Sequence, residues 1–116
     1  MFSKYDNEWA EIIKPVFGIS SDMQNRVINW ALAKGLIDDK NSKAQFVKII
    51  EEVGEMGGAM LKGKVEEEKD GLGDTLVTLI IYAAQRGLNL SECLEIALTE
   101  IEGRTGKMVN GSFIKD

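Results

Sequence analysis

Apolar residues recur along most of the chain at the spacing of one face of an α-helix. In the longest such segment, Phe46, Ile49, Val53, Met56 and Met60 follow one another at intervals of three and four residues, which is the helical period. The single proline lies near the N-terminus, and glycines stand where several periodic segments stop. The pattern predicts five helices, over residues 5–14, 20–35, 41–62, 65–86 and 89–103.

Two segments fall outside this pattern. Residues 38–41 are predicted to form a loop, and the basic, glycine-bearing tail over residues 104–116 is predicted to be irregular. The β-branched segment over residues 75–82 is compatible with a strand, but the acidic periodicity before it and the alanines after it favour a helix. The expected fold is therefore all-α, a bundle of four to five helices packed antiparallel.

A chain of 116 residues supports one compact domain with its own core. Its content of 44% hydrophobic and 28% charged residues is typical of a globular protein. We divide this single domain into an N-terminal extension (1–18), a helical core (20–103) and the basic tail (104–116). Residues 75–84 are apolar on nearly every side, and a bundle this small cannot cover them. We therefore expect a homo-oligomer, either a dimer or a tetramer.

Charge and composition narrow the classes of function. Lys and Arg total 14 against 19 Asp and Glu, a net charge of −5, which argues against nucleic acid or an anionic membrane as a partner. The longest apolar run, over residues 76–84, is far shorter than the roughly 20 residues that cross a bilayer. The absence of histidine excludes a His-based triad and a carboxylate–histidine metal site. The lone Cys93 cannot form an intramolecular disulfide, and we expect a reduced, cytoplasmic location.

The acidic residues concentrate in two predicted helices joined by a short, glycine-bearing link. At about 100° per residue, Glu52 and Glu55 share one helix face, and Asp70 and Asp74 share a face of the next helix. Antiparallel packing, at a rise of about 1.5 Å per residue, then places Glu55 level with Asp70 and Glu52 level with Asp74. Four carboxylates in one small volume repel each other unless a cation lies between them. Ligands that are all oxygen select Mg²⁺, with Mn²⁺ as a possible substitute.

The alternative is that these acids lie on solvated helix faces, where pairs of glutamates are common. Residues 66–68 fit the acid-rich first turn of a helix, where the helix dipole favours negative charge. If all the acids are solvated surface residues of this kind, the chain is a structural helical bundle. A site is favoured because Glu52 borders the apolar stripe and Asp74 opens a buried segment, where an uncompensated carboxylate is costly.

The acidic pattern resembles that of the MazG-like all-α nucleoside triphosphate pyrophosphohydrolases, particularly the short single-domain versions of bacteria and phages. Residues 51–55 (Glu-Glu-Val-Gly-Glu) match the Glu-Glu-x-x-Glu half of the family pattern. Residues 70–74 (Asp-Gly-Leu-Gly-Asp) stand where the family has Glu-x-x-Asp. The tail over residues 104–113 is similar to the C-terminal motif of the short members, and the resemblance covers residues 25–114.

The resemblance implies Mg²⁺-dependent hydrolysis of a (deoxy)nucleoside triphosphate to the monophosphate and pyrophosphate, for control of the nucleotide pool. It implies that Glu52, Glu55 and Asp74 are metal ligands. Glu51 is the candidate acid or base that orients water beside them, and its alternative role is that of a solvated surface residue.

The third ligand position of the family falls on Gly71 in this chain. We hypothesise that Asp70, one helical turn before Asp74, takes over the missing role. If it does not, the alternative function is a nucleotide-binding or partner-binding helical module without turnover.

Positive charge must meet the departing pyrophosphate. Lys48 and Lys62 flank the acidic segment, and Arg104 and Lys107 come from the tail; each is otherwise an exposed base. Trp30 is a candidate to stack on the nucleotide base, and its alternative role is that of a core residue.

Overall fold

The computed structural model describes residues 21–116, and within this range it contains four α-helices, one short 3₁₀-helix and one two-stranded sheet. By their contacts the described residues fall into two compact units. The first three helices belong to Ile19–Asn89, and the fourth helix and the sheet belong to Leu90–Asp116. The helix predicted over residues 5–14 and the extension over residues 1–18 lie outside the described residues.

The four helices predicted within the described range are confirmed, and each begins and ends within two residues of its predicted bounds. Their bounds are α1, Ser21–Ala33; α2, Ser42–Leu61; α3, Val65–Gln85; and α4, Leu90–Glu102. Gly35, Gly63 and Gly87 follow the first three helices with φ of 73°, 70° and 66°, the left-handed conformation in which helices commonly end. The predicted loop before α2 contains the 3₁₀-helix Asp39–Asn41.

The prediction that the tail is irregular is wrong. Strand β1 (Gly106–Val109) pairs antiparallel with β2 (Ser112–Lys115), and Met108 lies opposite Phe113. Asn110 and Gly111 connect the strands with φ of 50° and 81°. Positive φ at both central residues is the requirement of a two-residue type I′ hairpin turn, for which Asn-Gly is the preferred sequence.

Helix α3 is the central helix of its unit, because it contacts both α1 and α2. Two contacts fix its register against α2. Gly71 lies against Met56, and Nε2 of Gln45 donates a hydrogen bond of 3.1 Å to the carbonyl oxygen of Thr78. Since a later residue of α2 meets an earlier residue of α3, the two helices run antiparallel, as predicted from the short link between them.

The face of α2 that is buried differs from the apolar stripe that the sequence analysis selected. Most of the buried and half-buried positions repeat at helical spacing, and together they are Ser42, Gln45, Ile49, Glu52, Met56, Gly57, Gly58 and Ala59. Three members of the predicted stripe are exposed instead, namely Phe46, Val53 and Met60. Helix α2 carries apolar residues on two adjacent faces, and α3 covers only the face that contains Glu52.

Candidate functional site

Three of the four predicted metal-ligating acids line a single cleft. Glu55 projects from α2, and Asp70 and Asp74 project from α3, around a cleft of about 420 Å³. The remaining lining residues are Gly58, Ala59, Lys62, Glu67 and Gly71. Antiparallel packing thus brings two segments of acidic sequence, about 15 residues apart in the chain, to one place between two helices.

Glu52 is the fourth acid, and it is buried instead of lining the cleft. Only 7% of the residue is exposed, and its Oε1 lies 3.4 Å from Nζ of Lys48, one helical turn earlier. The hydrogen bond to Glu52 and the attraction of its charge raise the pKa of Lys48 above its ordinary value. Because a buried carboxylate without a counter-charge is costly, Lys48 is the residue that makes the burial of Glu52 tolerable.

The charges of two other acids influence the pKa of Asp74. Its pKa is raised above its ordinary value, first because the protein removes part of its hydration, and then because the charges of Asp70 and Glu52 repel its own. The charge of Lys48 lowers it in part. The charges of Asp70 and Glu52 are therefore near enough to Asp74 to raise its pKa.

The side chains are not arranged as a finished metal site. Within residues 21–116 no group of three Asp, Glu, Cys or His side chains is placed to hold a metal ion. Glu55 and Asp70 are exposed on the cleft wall, where carboxylate rotamers change readily. The donor set consists of oxygen alone, which suits a hard divalent cation, so the residues fit Mg²⁺ in their chemistry once these side chains turn inward.

Gly71 stands where the MazG-like pattern, to which the sequence bears a resemblance, has a glutamate, and the structure shows what surrounds it. A Cβ at this position would lie 3.0 Å from Cβ of Met56 and 3.2 Å from its Cα. The two helices are therefore packed closely at Gly71, which leaves little room there for a larger side chain. Asp70, one residue earlier, lines the cleft together with Asp74, which is the placement that our substitution hypothesis requires.

Trp30 is not a core residue, since 52% of it is exposed. It lines a separate cleft of about 570 Å³ with Met23, Arg26, Val27 and Val77. Val77 lies three residues after Asp74 on α3, and at helical geometry the two share one side of that helix. Val77, at the edge of the apolar cleft that contains Trp30, is therefore about 4.5 Å farther along the axis of α3 than Asp74, a little less than one turn.

Arg26 is a cleft residue that the sequence analysis missed. It lies four residues before Trp30 on α1, which places both side chains on the same helix face. The four-residue spacing between Arg26 and Trp30 is the sequence feature that identifies Arg26 as a neighbour of the candidate stacking residue.

The remaining predicted residues have varied surroundings. Lys62 lines the acidic cleft, and the exposed Glu51 has Oε2 3.9 Å from Nζ of Lys48. Arg104 and Lys107 belong to the unit that contains α4 and the hairpin. Arg104 is half-buried, and its Nη2 lies 2.9 Å from Oε1 of Glu100; Lys107 is exposed on β1.

Comparison with known proteins gives one distant relative and no family. The chain is 33% identical over 72 residues to an uncharacterized 18.2 kDa protein from the rep-hol intergenic region of Haemophilus phage HP1 (strain HP1c1). The match covers 60% of this chain and 44% of the phage protein, so the chain corresponds to less than half of that relative's length. No family model matches the chain. No solved structure matches it.

None of the helices within residues 21–116 combines the length and the apolar character needed to cross a membrane.

Proposed function

We propose that this chain is a MazG-like all-α nucleoside triphosphate pyrophosphohydrolase that depends on Mg²⁺ and acts in control of the nucleotide pool. The reaction converts a (deoxy)nucleoside triphosphate to the monophosphate and pyrophosphate. The observation that supports it most is the acidic cleft, in which Glu55, Asp70 and Asp74 meet beside the buried Glu52.

The same four acids are the proposed metal ligands. Magnesium or manganese, when bound, polarises a phosphoryl oxygen and lowers the pKa of bound water, which makes hydrolysis of the anhydride possible. The pKa of Asp74 is raised first by loss of hydration and then by the negative charges of Asp70 and Glu52; a bound cation would offset that repulsion. Asp70 is the proposed replacement for the acid missing at Gly71.

The chain's other residues would bind and orient the substrate. Lys62, on the cleft wall, is placed to bind the terminal phosphates and to stabilise the departing pyrophosphate. Glu51 is exposed beside Glu52 and is the proposed group that takes a proton from the attacking water. Lys48 neutralises the charge of Glu52. Once a bound cation neutralises Glu52 instead, Lys48 can turn toward phosphate.

The cleft that contains Trp30 supports a nucleotide as the substrate. It is mainly apolar, has an indole ring on its wall and includes Val77, a little less than one helical turn beyond Asp74 along α3. We propose that the base stacks on Trp30 and that the phosphates bind through metal ions at Asp70 and Asp74. Arg104 and Lys107 stay in the proposal as phosphate-binding residues of the tail.

A second copy of the chain is part of the proposal. Ile50, Val53 and Met60 share one face of α2 at helical spacing, and 59%, 44% and 53% of these residues are exposed. Large apolar residues aligned along a whole helix are typical of a subunit interface. A homodimer or homotetramer would cover them.

A nucleotide-binding module without turnover is the second candidate. It is favoured by two observations, the absence of three acids already arranged for a metal within residues 21–116 and the glycine at the third ligand position. In this case the clefts still bind a nucleotide, but no pyrophosphate is released.

One assay distinguishes the two functions. The purified protein is incubated with Mg²⁺ or Mn²⁺ and a panel of ribo- and deoxyribonucleoside triphosphates, and released pyrophosphate is measured. We expect release with at least one nucleotide and its loss in Glu52→Gln.

The matched control is Glu66→Gln, which removes the same charge from α3. Glu66 is 87% exposed in its side chain and pairs only with the nearby Lys69 among the ion pairs of the described residues. Its activity should equal that of the wild type. Binding without release from any nucleotide would contradict the enzyme and favour the binding module.

A further inference from the structure

A third cleft lies at the opposite end of the α2–α3 pair from the acids. It has a volume of about 360 Å³ and is lined by Ser42, Lys43, Phe46, Tyr82 and Arg86. Twelve residues of α2 separate Lys43 from Glu55, which corresponds to about 18 Å along the helix. The two clefts are therefore separate, and none of the acids proposed as metal ligands lines this one.

Two aromatic rings form one wall of the cleft. The ring centroids of Phe46 and Tyr82 are 5.8 Å apart and the planes are inclined by 61°, an edge-to-face pair. Phe46 is 51% exposed, although it lies on a helix that packs against α3. The pair fixes the ring orientation and leaves Phe46 with aromatic surface that a planar ligand can cover.

Two cations complete the cleft. Nη1 of Arg86 donates a hydrogen bond of 2.8 Å to Oδ1 of Asp39, which holds the guanidinium in place. An arginine has five N–H donors, so this contact leaves donors for another acceptor. Lys43 adds a second positive charge, and with Asp39 as the single acid among the residues named here, the cleft is positive overall in a protein whose net charge is −5.

We propose that this cleft binds a nucleoside phosphate, with the base against Phe46 and Tyr82 and the phosphate between Lys43 and Arg86. Aromatic surface and cations side by side are the two features that recognise a planar base joined to an anion. The volume lies within the range of small-molecule sites. This site is additional to the acidic cleft and does not depend on hydrolysis there.

Calorimetric titration with adenosine monophosphate in EDTA tests the proposal, because EDTA removes the cations that the acidic cleft would need. We expect saturable binding, and binding at least tenfold weaker for adenosine alone and for inorganic phosphate alone. Lys43→Gln and Phe46→Leu should each raise the Kd of adenosine monophosphate at least tenfold, with unchanged helical content by circular dichroism. Lys40→Gln, which removes a nearby charge outside the cleft, should leave the Kd unchanged.

Several results would overturn the proposal. One is the absence of binding, and another is an unchanged Kd in both Lys43→Gln and Phe46→Leu. A loss of binding in Trp30→Leu would mean that the nucleotide binds in the cleft lined by Trp30 and not in the cleft lined by Phe46 and Tyr82. If Lys43→Gln changes the mass of the assembly and not the Kd, the cleft is a subunit contact.

Discussion

Gly71 and Met56 form the tightest contact between α2 and α3 that a glycine makes in their unit. A Cβ at position 71 would lie 3.0 Å from Cβ of Met56 and 3.2 Å from its Cα. The contact holds α3 against α2 at the level of the acidic cleft, between Asp70 and Asp74. A larger side chain at position 71 would have to displace Met56, so the close packing of the two helices favours glycine there.

We expect Gly71→Ala to destabilise the protein. The added methyl group meets the backbone and Cβ of Met56, which cannot rotate away, and overpacking of this kind costs about 1–3 kcal/mol. The gain in helix propensity offsets up to about 1 kcal/mol of that cost. Urea unfolding followed by circular dichroism should show a lower midpoint with the wild-type slope.

Gly73→Ala is the matched control on the same helix. A Cβ at Gly73 meets no atom within 4 Å, so this variant should be as stable as the wild type or more stable by up to about 1 kcal/mol. Equal stability of the two variants would mean that the contact between Gly71 and Met56 does not limit the approach of the helices.

Asp70→Asn tests whether Asp70 replaces the acid missing at Gly71. The substitution keeps the shape of the side chain and removes the charge, so we expect Mn²⁺ to bind at least tenfold more weakly, as measured by electron paramagnetic resonance. Pyrophosphate release should fall in parallel. The same charge change in Glu66→Gln should alter neither quantity. Full metal-dependent activity in Asp70→Asn would contradict the hypothesis.

Asp74→Asn should have opposite effects on stability without and with a metal. The raised pKa of Asp74 means that the folded protein holds this proton more tightly than the unfolded chain does. Stability therefore falls as the pH rises from the ordinary value of 3.8 through the raised value. At pH 7 without metal, Asp74→Asn removes that penalty and should raise the Tm slightly, since Asp74 is exposed and solvent screens its charge.

With Mg²⁺ present the order should reverse, because metal binding stabilises the folded wild type by an amount that grows with the logarithm of the metal concentration over its Kd. The variant lacks one of the carboxylates proposed to bind the metal, so it gains less. Thermal unfolding at pH 4, 5.5 and 7, with Mg²⁺ or with EDTA, measures both effects. A lower Tm for Asp74→Asn in EDTA at pH 7 would show that the carboxylate stabilises the metal-free protein.

The helices could be predicted from the sequence because their signals are local. Periodicity placed α2 and α3, and glycines marked their ends. The short link between them then placed Glu55 at the height of Asp70, and both residues line the cleft. Each of these steps needs only the helical period and the rise per residue.

Which face of α2 is buried could not be predicted in the same way. The helix has two neighbouring apolar faces, and the choice between them depends on tertiary contacts. The structure buries the face that contains Glu52, since Gly71 allows α3 to approach Met56 closely. The apolar stripe predicted from periodicity is split between the two faces, since its members Ile49 and Met56 lie on the face that α3 covers and the other three members are exposed.

The hairpin was missed although its signal was present. Asn110-Gly111 predicts a type I′ turn by itself, but a glycine-bearing tail was interpreted as irregular. Gly106 has a further role there, since a Cβ on it would contact the carbonyl oxygen of Ile114 and come within 2.5 Å of Cζ of Phe113. Two strands alone are marginally stable, so such contacts decide whether the hairpin forms.

Gly106→Ala should therefore open the hairpin at its first pair. We expect nuclear Overhauser contacts between Met108 and Phe113, which lie opposite each other, to weaken or vanish in this variant. Ser112→Ala, which adds no atom to the strand, should keep them. The prediction is wrong if both variants show the contacts of the wild type.

Ile50→Glu tests whether a second copy covers the exposed face of α2. Ile50 is 59% exposed in the single chain, so a charge there should be tolerated by a monomer but costly within an apolar interface. Light scattering at micromolar concentration should give a dimer or tetramer for the wild type and a smaller mass for Ile50→Glu. Ala44→Glu places the same charge on an exposed position on the other side of α2, and its mass should match that of the wild type. A monomeric wild type would show that Ile50, Val53 and Met60 remain exposed to solvent, and the proposed subunit interface would be wrong.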